Sequence, residues 1–280
     1  MRKFLMIGVL GSAVLAASPA ARADNVPAMA PPPVMLTGDW SGLYAGVNIG
    51  GIWGNASVSP GLGVPFPVFT GGNLGNLLII TPAQFATLPA VSGSASSVMG
   101  GGQMGYNWQN GPFVFGVEGD IDGTGLAMKS ASTLTRTTLS GTQTVTANFS
   151  ANEDWIGTFR GRLGYAWDRT LVYVTGGLAI AGTSLNTSYA ITDPPSSVIS
   201  PMPGTAYDQH TIPGWTVGAG GEWKFSDQWG LALEYRHTDL GTHSYNIGIS
   251  DNSLIGFVSA TSASVHITTD QVTARLNYHF

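Results

Sequence analysis

Residues 215–236, WTVGAGGEWKFSDQWGLALEYR, decide the fold, because they contain two alternating segments joined by a short polar turn. Trp215, Val217 and Ala219 alternate with small or polar residues, and large apolar residues again occupy every second position after the turn. A period of two is typical of a β-strand with one apolar and one polar face. Alternating segments of about ten residues are the signature of the membrane-spanning strands of a β-barrel.

Six further segments show the same alternation, which makes eight in all. They are 43–49, 98–108, 113–121, 155–165, 171–180 and 272–280. In 171–180 both faces are apolar, so the orientation of this segment stays open. Backbone groups in hydrocarbon must be hydrogen-bonded, so spanning strands have to close into a ring. We therefore predict an all-β fold, an eight-stranded antiparallel transmembrane β-barrel.

The connections between these segments alternate between long and short. Short turns fall at 109–112, 168–170 and 225–228, and the other connections hold about 45, 30, 33 and 28 residues. Bacterial outer-membrane barrels have short periplasmic turns and longer extracellular loops. The spacing thus predicts four long extracellular loops, of which 54–97 is the longest.

Composition and the N-terminus point to the same compartment. Charged residues make up 10% of the 280-residue chain, against roughly 25% in average soluble proteins. The absence of cysteine excludes disulfides and thiolate metal sites, and a net charge of −5 without a basic stretch argues against a nucleic-acid partner. Residues 1–23 have the pattern of a cleaved signal peptide for passage across the inner membrane. The Pro-rich stretch 24–39 then predicts a periplasmic lead-in, and 40–280 the barrel domain in the outer membrane of a Gram-negative cell.

Tryptophan lies near the predicted strand ends throughout the chain. We expect two aromatic girdles at the membrane interfaces, where amphipathic rings are favoured. The girdle residues are Trp40, Trp53, Trp108, Trp155, Trp167, Trp215, Trp223 and Trp229. A secreted β-sandwich would share the alternation but gives no reason for two tryptophan rings.

Charged residues within the strands have the parity of the barrel interior. The predicted interior charge network consists of Glu118, Asp120, Arg160, Arg162, Glu222, Glu234, Arg236 and Arg275, together with Lys224. Placing Phe113 and Trp167 at one height pairs Glu118 with Arg162 and Asp120 with Arg160. Buried charges persist when they are paired and hydrogen-bonded, so we expect a network that plugs the lumen. A small passive pore is the alternative.

Catalytic and ligand-binding residues show no distinctive spacing. A nucleophilic group at the rim could be drawn from His237, Asp239 and Ser244. These residues have no distinctive spacing and no nucleophile-elbow motif, so we expect no enzyme and no catalytic residues. His210 and His243 lie in predicted loops and would serve a haem or metal ligand, but nothing fixes their geometry. We therefore predict no bound cofactor and no metal site.

Several strand blocks resemble one family. DWSGLYAG at 39–46 and GYNWQ at 105–109 are similar to blocks of the small outer-membrane barrel proteins of alphaproteobacteria, called porin-family or surface-antigen proteins. FGVEGDI, VGAGGEWKF and LEYRHTDLG match further blocks in order. The resemblance implies a barrel related to the transmembrane domain of outer-membrane protein A. It also implies that the terminal Phe280 is the signal read by the outer-membrane assembly machinery.

Together these observations favour an integral outer-membrane protein with a largely plugged lumen, a structural role in the envelope and surface-exposed loops. The expected partners are outer-membrane lipid, lipopolysaccharide and the assembly machinery. A surface receptor or adhesin that binds haem or a host component through its loops is the alternative from a different class.

Overall fold

The computed structural model describes residues 38–61, 88–138, 141–192, 203–250 and 258–280. Eight strands account for nearly all of them. Their bounds are Gly42–Pro60 (β1), Val91–Asn110 (β2), Phe113–Thr138 (β3), Gly141–Trp167 (β4), Thr170–Thr192 (β5), Gly204–Lys224 (β6), Trp229–Ser250 (β7) and Val258–His279 (β8). The predicted signal peptide (1–23), most of the predicted lead-in (24–39) and the centre of the 54–97 connection lie outside the described residues.

The strands form a closed antiparallel ring in chain order. Each pairs with its neighbours in the sequence, and β1 closes the ring on β8 from Tyr44↔His279 to Pro60↔Ala263. Closure gives every strand a partner on both sides, as a barrel in hydrocarbon requires. The predicted eight-stranded barrel is confirmed. No helix in the described part of the chain is long and apolar enough to cross a membrane.

Side chains alternate between the lumen and the outer surface. Val47, Phe115 and Leu233 are among the exposed outward side chains, whereas their strand neighbours are small or face inward. In β5 the structure settles the orientation that the sequence left open. Leu171 points inward and is fully buried, and Val172 points outward.

The strands are 19 to 27 residues long, so they continue well beyond the predicted segments and into the predicted loops. The connection between the third and fourth predicted segments is largely strand, because β3 and β4 stay paired from Phe113↔Tyr165 to Thr138↔Gly141. Above the membrane the outward face need not be apolar. The hydropathy alternation therefore fades there while backbone pairing continues.

Beyond the first half of the strands, the ring divides into two sheets. The ladder between β2 and β3 ends at Gly100↔Gly123, and that between β6 and β7 ends at Trp215↔Asp239. The strands β7, β8, β1 and β2 continue as one sheet, and β3 to β6 as the other. We call this part the outer sandwich, and the opposite end of the barrel, with the short turns, the turn end.

Register shifts mark the level of this division. They lie between Gly123 and Leu126, Glu153 and Trp155, and Asp239 and Thr242. Gly125 (φ 57°) and Gly241 (φ 71°) adopt the left-handed conformation there, which glycine tolerates without a Cβ clash. Bulges of this kind bend a strand and increase its twist, so they turn the two sheets away from the circular ring.

Apolar side chains fill the space between the two sheets of the outer sandwich. Ile52, Met99 and Ile267 from one sheet belong to the same buried cluster as Leu126 and Phe149 from the other. The lumen therefore has two layers, an apolar one in the outer sandwich and a polar one nearer the turn end.

Candidate functional site

Arg160 of β4 lies at the centre of the polar layer. Its guanidinium contacts carboxylate oxygens of Glu118 at 2.5 Å, Glu234 at 2.6 Å and Asp120 at 2.9 Å. All four side chains are at most 2% exposed. The structure thus brings together four residues of the predicted network, contributed by three different strands.

Arg275 of β8 completes a ring with two of these acids. Its Nη2 lies 2.8 Å from Glu118 and its Nη1 2.6 Å from Glu234. Arg160 and Arg275 therefore bridge the same pair of carboxylates from opposite sides of the lumen. Charge-assisted pairs of this kind are about twice as strong as neutral hydrogen bonds.

A second group extends the network toward the outer sandwich. Arg236 of β7 contacts Asp120 at 2.9 Å and Asp122 at 2.8 Å, and its Nε donates to Gln271. Asn48 donates to Asp122 as well. Asp122 has the same inward parity as Asp120, so the sequence could have placed it in the network, but our prediction missed it.

Arg162 pairs with Glu222, and the predicted pair between Glu118 and Arg162 is wrong. Phe113 pairs with Tyr165 rather than lying level with Trp167, and this register puts Glu118 opposite Arg160. The Arg162 guanidinium instead contacts Glu222 at 2.8 Å.

Two tyrosines and a histidine that the sequence did not single out support this pair. The guanidinium carbon of Arg162 lies 3.7 Å from the centre of the Tyr173 ring and 5.4 Å from that of Tyr44. His279 Nε2 lies 2.9 Å from Glu222. Aromatic faces and a desolvated cation attract each other, so the tyrosines hold Arg162 in place.

Trp40 lies inside the barrel at the turn end and does not belong to an outward girdle. Its side chain is fully buried, packs edge-on against His279 at 5.5 Å, and has the Lys224 ammonium 4.6 Å from its ring centre. The Trp40 main-chain N–H donates to Gln109, and the Gly38 N–H donates to Asp168. These contacts fold the chain before β1 across the mouth of the barrel, which strand parity could not predict.

The other seven tryptophans face outward. Trp155 is half-buried, and the remaining six are 39% to 53% exposed. Those near the turn end are Trp108, Trp167, Trp223 and Trp229, and those near the outer sandwich are Trp53, Trp155 and Trp215. Their membrane role stays a prediction.

Glu153 lies at the boundary between the two lumen layers. It is fully buried, and neither of its carboxylate oxygens accepts a hydrogen bond within the described part of the chain. Regular alternation from Phe159 back through Trp155 would place Glu153 outward. The bulge at Asp154 reverses the parity, so a local irregularity decides its position.

The histidines have separate partners within the chain. His237 pairs with Asp270 at 2.8 Å, so the rim group with Asp239 and Ser244 does not form. His210 Nε2 lies 3.0 Å from Asp208, and His243 Nε2 lies 2.8 Å from the Leu240 carbonyl.

No group of three or more candidate metal ligands occurs among the described residues.

Outside the membrane-spanning part, burial raises the pKa of Tyr245, whose hydroxyl lies 2.7 Å from that of Thr183. The interior polar layer therefore remains the main candidate functional site.

Comparison with known proteins decides the family. The model of the outer membrane protein beta-barrel domain matches residues 7–280. The chain belongs to this family. It is an outer-membrane β-barrel protein with its short turns on the periplasmic side and the outer sandwich outside the cell.

Relatives of this outer-membrane barrel are named outer-membrane or outer-membrane immunogenic proteins. The 31 kDa outer-membrane immunogenic protein of Brucella melitensis is 36% identical over 172 residues, which are 59% of this chain and 64% of that protein. The 25 kDa outer-membrane immunogenic protein of Brucella abortus is 26% identical, covering 88% of this chain and 90% of that one. The 22 kDa outer membrane protein of Rhizobium leguminosarum is 31% identical over 52% of this chain and 56% of its own length. The chain thus matches less than two thirds of the first of these relatives.

Solved structures include more distant outer-membrane barrels. The outer membrane protein OprG of Pseudomonas aeruginosa is 12% identical with a TM-score of 0.41, covering 86% of this chain and 96% of that one. The outer membrane protease OmpT of Escherichia coli is 8% identical with a TM-score of 0.43, over 85% and 96%.

Proposed function

We propose that this outer-membrane barrel is a structural protein of the envelope whose lumen does not conduct ions. Two layers support the proposal, the ion-pair network near the turn end and the apolar core of the outer sandwich. In this proposal the barrel has no enzymatic activity. Its cellular role is to stabilise the outer membrane and to present the outer sandwich at the cell surface.

The observation that carries the proposal is the pairing of the lumen arginines. Arg160, Arg162, Arg236 and Arg275 each contact at least one carboxylate, and their side chains are at most 5% exposed. A water-filled path would leave such groups hydrated. An eight-stranded barrel has an interior just wide enough for side chains to fill, and these side chains occupy it.

Planar-bilayer recording of the refolded protein tests this proposal. We expect no stable current steps above the bilayer baseline, because paired charged side chains occupy one lumen layer and buried apolar side chains occupy the other. A heat-dependent mobility shift on a gel, measured on the same preparation, shows that the barrel is folded. Stable current steps that change when Arg162 is replaced with alanine would identify a channel and overturn the proposal.

We also propose that Phe280 is the residue that the assembly machinery recognises. Its side chain is 71% exposed, and its main-chain N–H donates to the Leu43 carbonyl at 3.0 Å. A ring that is this exposed is accessible to a partner and contributes little to the packed interior.

Deleting Phe280 is therefore expected to reduce the folded protein in cell outer membranes several-fold, with little change in refolding of the purified protein into detergent. Heat-modifiability gels of both samples measure this difference. The control is Phe225→Ala, which removes another exposed phenylalanine at the turn end. Equal loss in cells and in detergent would assign Phe280 a role in stability and not in recognition.

A further inference from the structure

A groove crosses the outward face of the outer sandwich on the β3–β6 sheet. It has a volume of about 820 Å³. Four of its residues form one continuous row, in which Lys129 pairs with Ser150, Ser150 with Asn186, and Asn186 with Tyr207. Neighbouring strands lie about 4.8 Å apart, so the row is roughly 14 Å wide. We call this the outer groove.

The side chains of the outer groove suit a sugar chain with an anionic group. Asn148 and Asn186 are exposed, and neither hydrogen-bonds another side chain of the described strands, so both amides can donate to and accept from a ligand. The Tyr207 ring is 61% exposed and offers an apolar face to the C–H groups of a sugar. Lys129 places an ammonium at one end of the row, where it can bind a phosphate or carboxylate.

The height of the outer groove limits what can reach it. Ser150 lies five residues beyond Trp155 on β4. At about 3.3 Å per residue and a strand tilt of about 40°, this puts the groove roughly 13 Å above the outer aromatic side chains. At that height an outward-facing surface looks sideways into the layer that the lipid headgroups occupy. In the outer leaflet of an outer membrane this layer consists of the phosphorylated sugars of lipopolysaccharide.

We propose that the outer groove binds the phosphorylated core oligosaccharide of lipopolysaccharide molecules surrounding the barrel. A protein partner would have to pass through the sugar layer to reach this sideways-facing surface, whereas the core sugars are already there. The amides and Tyr207 bind the sugar, and Lys129 binds its anionic group. The outer groove does not involve the lumen, so its test is independent of the test of the proposed non-conducting role.

Binding of two lipid probes to the purified barrel in detergent micelles tests the proposal. The probes are rough lipopolysaccharide, which carries the core sugars, and lipid A, which lacks them. We expect rough lipopolysaccharide to bind more tightly than lipid A to the unmodified protein. The double variant Asn186→Ala/Tyr207→Ala should weaken the binding of rough lipopolysaccharide by about tenfold or more and leave that of lipid A unchanged, because it removes hydrogen bonds and a stacking face.

The matched control is Asn55→Ala/Ser57→Ala, which removes outward polar side chains from β1 on the opposite side of the outer sandwich. Heat-modifiability gels confirm that both variants fold. Equal weakening by the two double variants would contradict a specific groove. Equal affinity of the unmodified protein for rough lipopolysaccharide and lipid A would show that the sugars are not recognised, and would overturn the proposal.

Discussion

Replacement of Arg160 with alanine is expected to lower the free energy of unfolding by about 3–5 kcal/mol, the cost of removing one partner from a buried ion pair. Arg160 contacts Glu118, Asp120 and Glu234, and its own side chain is fully buried. The alanine variant leaves carboxylates in the lumen with fewer cations to balance them. Urea unfolding of the refolded protein in detergent, followed by tryptophan fluorescence, measures the difference.

Two further variants make this test specific. Arg169→Ala removes an arginine from an exposed turn, where the pair with Asp227 at 3.2 Å is screened by water. It is expected to change the unfolding free energy by less than about 1 kcal/mol. Arg160→Lys keeps the charge but cannot reach the three carboxylates with a planar fork, so an intermediate loss is expected. If Arg160→Ala unfolds at the same urea concentration as the original protein, the network does not stabilise the barrel.

Replacement of Trp40 with alanine is expected to destabilise the barrel by about 3–5 kcal/mol, as is usual for a large buried aromatic side chain. It should also open the turn end, because the ring covers Lys224 and His279. Lys224 is 5% exposed in the structure. Its labelling by a water-soluble amine reagent should therefore rise in the variant, as measured by mass spectrometry of the labelled peptide.

The variant Trp40→Phe distinguishes the effect of losing the aromatic ring from the effect of creating a smaller cavity. A phenylalanine keeps an aromatic face beneath the Lys224 ammonium, so most of the protection from labelling should remain. Trp108→Ala, which removes an exposed outward tryptophan, should leave Lys224 protected. Labelling of Lys224 that is already complete in the original protein would show that Trp40 does not close the turn end.

The membrane half of this fold could be predicted because a lipid-facing strand leaves a strict pattern in the sequence. A charge on the outer surface costs about 2–4 kcal/mol at the midplane, so the charged side chains of the strands there face the lumen. That constraint correctly placed Glu118, Asp120 and Arg160 in the lumen and Phe115 and Leu233 outside. The same alternation predicted the number of strands, and the spacing of the segments predicted that the short turns lie together at one end of the barrel.

The outer sandwich could not be predicted, because the requirement for apolar lipid-facing side chains, which produces the alternation of hydropathy, ends at the membrane surface. Beyond it the outward face is polar or small, as at Ser150 and Asn186, and the alternation of hydropathy disappears although the strands continue. The predicted segments therefore end before the strands do. The division into two sheets arises because the β2–β3 and β6–β7 pairings end early. The periodicity of the strands does not predict where the pairing of two strands ends.

The sequence alone determined the barrel, its orientation and the lumen position of the charges in the membrane half, since each of these follows from the period of two and the cost of burying charge. The tertiary structure decided which charges pair. The observed β3–β4 register differs by two residues from the predicted one, so Glu118 pairs with Arg160, and Arg162 pairs with Glu222. It also decided the position of Glu153, which a single bulged residue turns inward. Trp40 depends on the structure for the same reason: its place in the lumen is set by contacts with residues distant in the chain, and no local periodicity records them.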